Sequence, residues 1–184
     1  YMSKENKDNI PTPQHVLLRA DQVAVKVAEL GKQITQDYSE EAPLLVGVLK
    51  GAFVFMSDIS RAIDLPIEFD FMAVSSYGHS TTSSGVVRIV KDLDLDLADR
   101  HVLLVEDIVD SGLTLNFLRK NLLARNPASL EICALLVRED FQFEEDTIRY
   151  TGFQVPADWL VCYGLDVAER YRNLPDIWVV NSDS

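Results

Sequence analysis

Three carboxylates within five positions, Glu106, Asp107 and Asp110, run directly into Ser111, Gly112, Leu113 and Thr114. Glu106 and Asp107, side by side, can accept hydrogen bonds from sugar hydroxyls or offer oxygen ligands to Mg²⁺. Asp110 can take a proton beside a reacting carbon. Ser111 and Thr114 add hydroxyl donors, and Gly112 lets the backbone approach a ligand closely. A loop that only grips phosphate gains nothing from three acids, which would repel it. Acids and donors together suit a phosphorylated sugar. Read without chemistry, the same residues are a strand-end turn with acids at a helix N-terminus, each worth roughly a few tenths of a kcal/mol.

These residues need a platform. Val102–Val105 is a short continuous apolar run, which suits a buried parallel strand, and Ile108 and Val109 carry it on to Asp110. Beyond Thr114 the period becomes helical: Leu115, Leu118 and Leu122 share a face, with Arg119, Lys120 and Arg125 toward the C-terminal end. Asp110–Thr114 therefore lies where a strand ends and a helix begins. Backbone N–H groups and the positive end of the helix dipole converge there. This is a phosphate cradle.

The stretch resembles the phosphoribosyl-pyrophosphate motif of the type I phosphoribosyltransferases. Four further segments resemble the hypoxanthine-guanine branch of that family, and together they run from about Leu45 to Leu174. The first is a second buried strand, Leu44–Leu49, stopped by Lys50-Gly51 before a helix through Ile63. Alone, Lys50 would read as a solvated lysine; Leu-Lys-Gly resembles the pyrophosphate loop, where the family has a cis peptide before the lysine. Next, Ile67–Ser76 and Val86–Lys91 read as antiparallel strands around Tyr77–Gly85, either a hairpin tip or a lid that excludes water. Ser76-Tyr77 resembles the start of the family's flexible catalytic loop, which favours the lid. His79, inside it, is expected to face solvent.

A strand over Leu130–Val137 leads to Arg138, where the family carries a lysine that donates to the purine's 6-oxo group. Facing outward, Arg138 would instead pair with Glu139 or Asp140. Trp159–Val161 and the segment from Cys162 to Arg172 resemble the base-binding hood and the pyrophosphate-contacting arginine. The resemblance implies that Trp159 stacks on the purine while the backbone near Leu160 and Asp166 reads its edge. Lys50, Gly51 and Arg172 would meet pyrophosphate. Ser111–Thr114, Leu113 included, would hold the 5′-phosphate, and Glu106 and Asp107 the ribose hydroxyls. Glu106, Asp107 and Asp166 would bind Mg²⁺, and Asp110 would be the general base. The implied fold is α/β: a mainly parallel twisted sheet flanked by helices, with a small hood formed by N- and C-terminal segments.

Composition bounds the rest. The 184 residues, 47% hydrophobic and 25% charged, suit one globular domain over 15–184 behind a polar arm, 1–14, that carries Pro11 and Pro13. Tyr1 ahead of Met2 is expected to be an added residue. No run approaches the roughly 20 apolar residues of a membrane span, and no signal-type segment stands out. Asp21 is expected to cap a helix with Val23, Val27, Leu30 and Ile34 on one face, ending near Tyr38. Cys133 and Cys162 lie in apolar runs without metal-ligand spacing, as buried thiols of a cytoplasmic protein would. Glu139, Asp140, Glu144, Glu145 and Asp146 are expected to form a solvated face. A charge of −12 argues against nucleic acid and is awkward for a polyphosphate unless Mg²⁺ accompanies it. GxxxxGK[ST], GxGxxG, GxSxG and HExxH are absent. The expectation is a homodimeric or homotetrameric enzyme that moves a phosphoribosyl group from phosphoribosyl pyrophosphate to a 6-oxopurine. The alternative is a nucleotide-sensing regulator with the same fold and no turnover.

Overall fold

Residues 10–76, 87–140 and 147–180 are described by a computed structural model. In chain order the elements are β1 (His15–Leu18), α1 (Ala20–Asp37), β2 (Leu44–Leu49), α2 (Phe53–Ala62), β3 (Glu68–Ser76) and β4 (Val87–Lys91). They continue with β5 (His101–Val109), α3 (Leu113–Leu123), β6 (Ser129–Arg138), β7 (Tyr150–Val155), β8 (Trp159–Val161) and β9 (Ile177–Val180). A six-stranded sheet has the order β4-β3-β2-β5-β6-β7, parallel except where β4 runs antiparallel to β3. The apolar runs at β2 and β5 lie side by side, Leu45 opposite Leu103, and are covered on both faces. Leu45 and Leu103 pack toward α1 and α2, whereas Leu44, Val46 and Leu104 pack toward Leu118 and Leu122 of α3. That double burial is why neither strand shows polar alternation.

The smaller sheet, β1-β9-β8, is antiparallel and joins the two ends of the described chain, which is the hood expected from N- and C-terminal segments. The parallel strands all end on one edge of the larger sheet, at Leu49, Ser76, Val109, Arg138 and Val155. That edge is where open α/β sheets bind ligands.

One boundary needs correcting. Arg19, not Asp21, is the N-cap of α1, and Asp176 accepts the Ala20 N–H at 2.7 Å. An acid 156 residues away closes the helix N-terminus, leaving Asp21 to accept from Arg19 and Gln22. The sequence reading also passed over β1 and β7. The proposed lid Tyr77–Gly85, with His79, lies outside the described residues, as do 1–9 and Glu144, Glu145 and Asp146. Cys133 and Cys162 are free and buried; burial pushes Cys162 up to about 11 and Cys133 higher still. Among the described residues, no helix is long and apolar enough to cross a membrane.

Candidate active site

β5 delivers the acids to the sheet edge and α3 starts immediately after them. Gly112 is the N-cap of α3 at φ 71°, a left-handed conformation that glycine adopts without strain, and its carbonyl accepts from Asn116 N at 2.8 Å. The turn wraps a cleft of about 280 Å³ lined by Glu106 to Gly112 and Thr114, with Val48, Leu49 and Gly51 of the neighbouring strand end. Leu113 is the exception among the expected cradle residues, since its side chain is exposed and points away from the cleft. A second cleft of about 380 Å³ shares Gly51, Asp107, Ile108 and Asp110 with the first. Its other walls are Lys50, Arg138, Trp159, Leu160, Leu165, Asp166 and Arg172. Two sheets and five segments of chain thus bring together nearly every residue singled out above. Of the two lid residues, Ser76 closes β3 at the same edge and Tyr77 lies outside the described residues.

Close packing at this edge depends on two glycines. A side chain on Gly51 would strike the Asp107 carboxylate, and one on Gly164, at φ 99°, would strike the Gly51 carbonyl. Hood, Lys50-Gly51 loop and acid pair are stacked with no room for a Cβ. The Leu49–Lys50 peptide is cis, as the resemblance implied.

The charges are arranged unevenly. Glu106 is 7% exposed, and burial, reinforced by the Asp107 charge, pushes its carboxyl well above the usual range. Burial also lifts Asp107 to about 6; backbone N–H donors and Arg172 pull it down and Asp166 pushes it up. The cations are engaged. Lys50 Nζ meets Glu169 Oε2 at 2.9 Å, and Arg172 Nη2 meets Asp166 Oδ1 at 2.7 Å and Glu169 Oε2 at 3.3 Å. Arg172 Nη1 donates to the Gly164 carbonyl at 2.7 Å, while its Nε is buried with no protein partner among the described residues. Hydrogen bonds from Lys50 and Arg172 hold Glu169 below the usual carboxylate range. Sequence reasoning gave Glu169 no role; its place in the charged string Glu169-Arg170-Tyr171-Arg172 was the available signal.

Arg138 does not turn outward to Glu139 or Asp140. Its side chain, 11% exposed, reaches across the cleft so that Nε meets Asp110 Oδ1 at 3.2 Å and Nη1 donates to the Pro156 and Asp158 carbonyls. Asp110 itself stands at the rim, 74% exposed. Trp159, just beyond those carbonyls, presents an exposed ring.

A model of the phosphoribosyl transferase domain matches residues 14–167. The hypoxanthine-guanine phosphoribosyltransferase of Mycobacterium tuberculosis H37Rv is 55% identical over 165 residues, 86% of this chain and 82% of the relative. That of Bacillus subtilis is 47% identical, covering 91% of this chain and 93% of its own. Among solved structures, a hypoxanthine-guanine phosphoribosyltransferase from Bacillus anthracis superposes with a TM-score of 0.86 at 40% identity, covering 92% of this chain and all of that one.

Proposed function

We propose that this chain, which belongs to the phosphoribosyltransferase family, transfers a 5-phosphoribosyl group from phosphoribosyl pyrophosphate to hypoxanthine or guanine. The observation that carries the reading is the pair of clefts sharing Asp107, Ile108 and Asp110. One, at the N-terminus of α3, suits a sugar phosphate; the other, walled by Trp159, Arg138 and Arg172, suits a flat base and a diphosphate. A bond from a purine ring nitrogen to the anomeric carbon forms as the bond from that carbon to the diphosphate oxygen breaks. Asp110 takes the proton from the opposite ring nitrogen. Backbone N–H groups and hydroxyls of Ser111–Thr114 hold the 5′-phosphate, and Leu113 contributes only main chain. Lys50, Gly51 and Arg172 meet the departing diphosphate, and Leu160 backs the ring that Trp159 covers.

The site carries more carboxylates than cations, and its donors are oxygens. That set fits Mg²⁺, which keeps waters and substrate oxygens and needs only one or two protein carboxylates. Among the described residues, no three His, Cys, Asp or Glu side chains stand close enough to hold one ion together. One or two of Asp107, Glu106 and Asp166 would hold the ion, with substrate and water oxygens completing its shell, and it would neutralise diphosphate charge. Two unpaired buried thiols fit a reducing compartment such as the cytoplasm, and the exposed Phe53 and Phe69 suit a homodimer or homotetramer.

The relatives are named as transferases, which leaves the non-catalytic sensor without support. The test is product formation from hypoxanthine, guanine, xanthine and adenine in parallel with phosphoribosyl pyrophosphate and Mg²⁺. Nucleotide appears with the first two; no turnover with either would overturn the proposal.

A further inference from the structure

Arginine carries five N–H donors, one on Nε and two on each terminal nitrogen. In Arg138 the Nε donor goes to Asp110, and Nη1 serves the carbonyls of Pro156 and Asp158. Three donors are committed, and they join segments from different parts of the fold. Asp110 ends the acid strand, whereas Pro156–Asp158 links β7 to β8 and leads directly into Trp159. The guanidinium sits at the C-terminal end of β6, between the two. Planarity fixes the directions of these bonds relative to one another, so the fork sets where the loop stands relative to the acid.

We propose that Arg138 is a positioning residue that holds the Trp159 loop against Asp110 and leaves only Nη2 to read the purine. The idea rests on the base-binding role given above for this cleft. An ammonium has three N–H donors. Reaching Asp110 and both carbonyls would use all three, so a lysine here either braces the loop or donates to a base oxygen. Arginine does both. The stacking ring therefore stands in place before the base arrives, and less ordering accompanies binding.

The experiment uses the full chain with Trp178→Phe, so that Trp159 is the sole tryptophan. Time-resolved fluorescence anisotropy without ligand reads the local rotation of that ring, and steady-state kinetics read the KM of each substrate. Arg138→Gln should at least double the amplitude of fast ring rotation. It should also raise the KM for hypoxanthine by on the order of tenfold, one charged hydrogen bond's worth, with the KM for phosphoribosyl pyrophosphate unchanged. Arg138→Lys should lose either ring order or hypoxanthine affinity. Unchanged anisotropy in Arg138→Gln overturns the brace, and a lysine variant that keeps both properties overturns the need for a fork. If the parent protein fails to use hypoxanthine, the base-binding reading falls, while the anisotropy still decides whether the brace exists.

Discussion

Replacing Asp107 by asparagine should stabilise the ligand-free protein while disabling it. Burial holds the Asp107 carboxyl at about 6 against an ordinary 3.8; donors from the backbone and Arg172 offset burial only partly, and Asp166 adds to it. A carboxyl raised on folding favours the folded state when protonated. That contribution is complete below about 3.8 and is lost as the pH rises through about 6. At pH 7 the ionised side chain therefore opposes folding. The gap between the two values sets a ceiling of about 3 kcal/mol. Solvent at the partly open side of the group lowers this, so about 1–3 kcal/mol is expected. Asparagine keeps the shape and one oxygen to accept from the backbone N–H groups while removing the charge.

Urea unfolding of both proteins at several pH values from 7 to 4 measures the effect. Asp107→Asn should gain about 1–3 kcal/mol at pH 7, or roughly 2–10 °C in Tm for a chain of this size. The advantage should shrink toward zero as the pH approaches 4, because the parent then carries a neutral carboxyl as well. The same variant should bind phosphoribosyl pyrophosphate poorly in Mg²⁺, a trade of function for stability. A variant no more stable at pH 7, or an advantage that does not change with pH, would refute the claim that a buried charge is held here against folding.

Other outcomes follow from the same geometry. Asp110→Asn should lower kcat by roughly 10²–10⁴-fold and leave nucleotide binding near the parent value; an unchanged kcat with chemistry rate-limiting removes the general-base role. Binding of phosphoribosyl pyrophosphate, measured by calorimetry, should collapse in EDTA and return with Mg²⁺, and tight binding without a divalent ion contradicts the ligand set. Adenine should be disfavoured against hypoxanthine by about 10³-fold or more in kcat/KM, since Arg138 can only donate and adenine offers an amino group at that edge. Arg138→Met should lose most 6-oxopurine activity, and comparable use of the two bases would show that Arg138 does not read the ring.

What was legible in the sequence divides along a physical line. The strands β2 and β5 are covered on both faces, so their apolar runs announce them and the turns that end them. The residues expected to form the cradle are consecutive, so their types and order alone single them out. β1 and β7 escaped because their burial follows no strand period: β1 has no fully buried residue, and β7 is buried only at its ends, Tyr150 and Val155. β7 also carries Gly152, a poor strand former, whose added Cβ would strike the Leu135 carbonyl. The cap of α1 escaped because its acid, Asp176, comes from the other end of the chain.

Charge pairing was the least legible property of all. Glu169 reaches Lys50 from a turn in which Ala168, Glu169 and Tyr171 all hold positive φ, a path that no local pattern announces. Yet this pairing answers the difficulty raised by a net charge of −12. Lys50 and Arg172, the cations proposed to meet a diphosphate, already face Glu169 and Asp166, and among the described residues no cation stands within hydrogen-bond reach of Asp107 or Glu106. A polyanion entering alone would have to break those pairs and then meet the remaining acids. With a divalent ion it brings the counter-charge that the acids lack, and the displaced carboxylates gain a partner. The acidity that looked like an obstacle to a polyphosphate is thereby a reason to expect its metal complex to be preferred over the free anion.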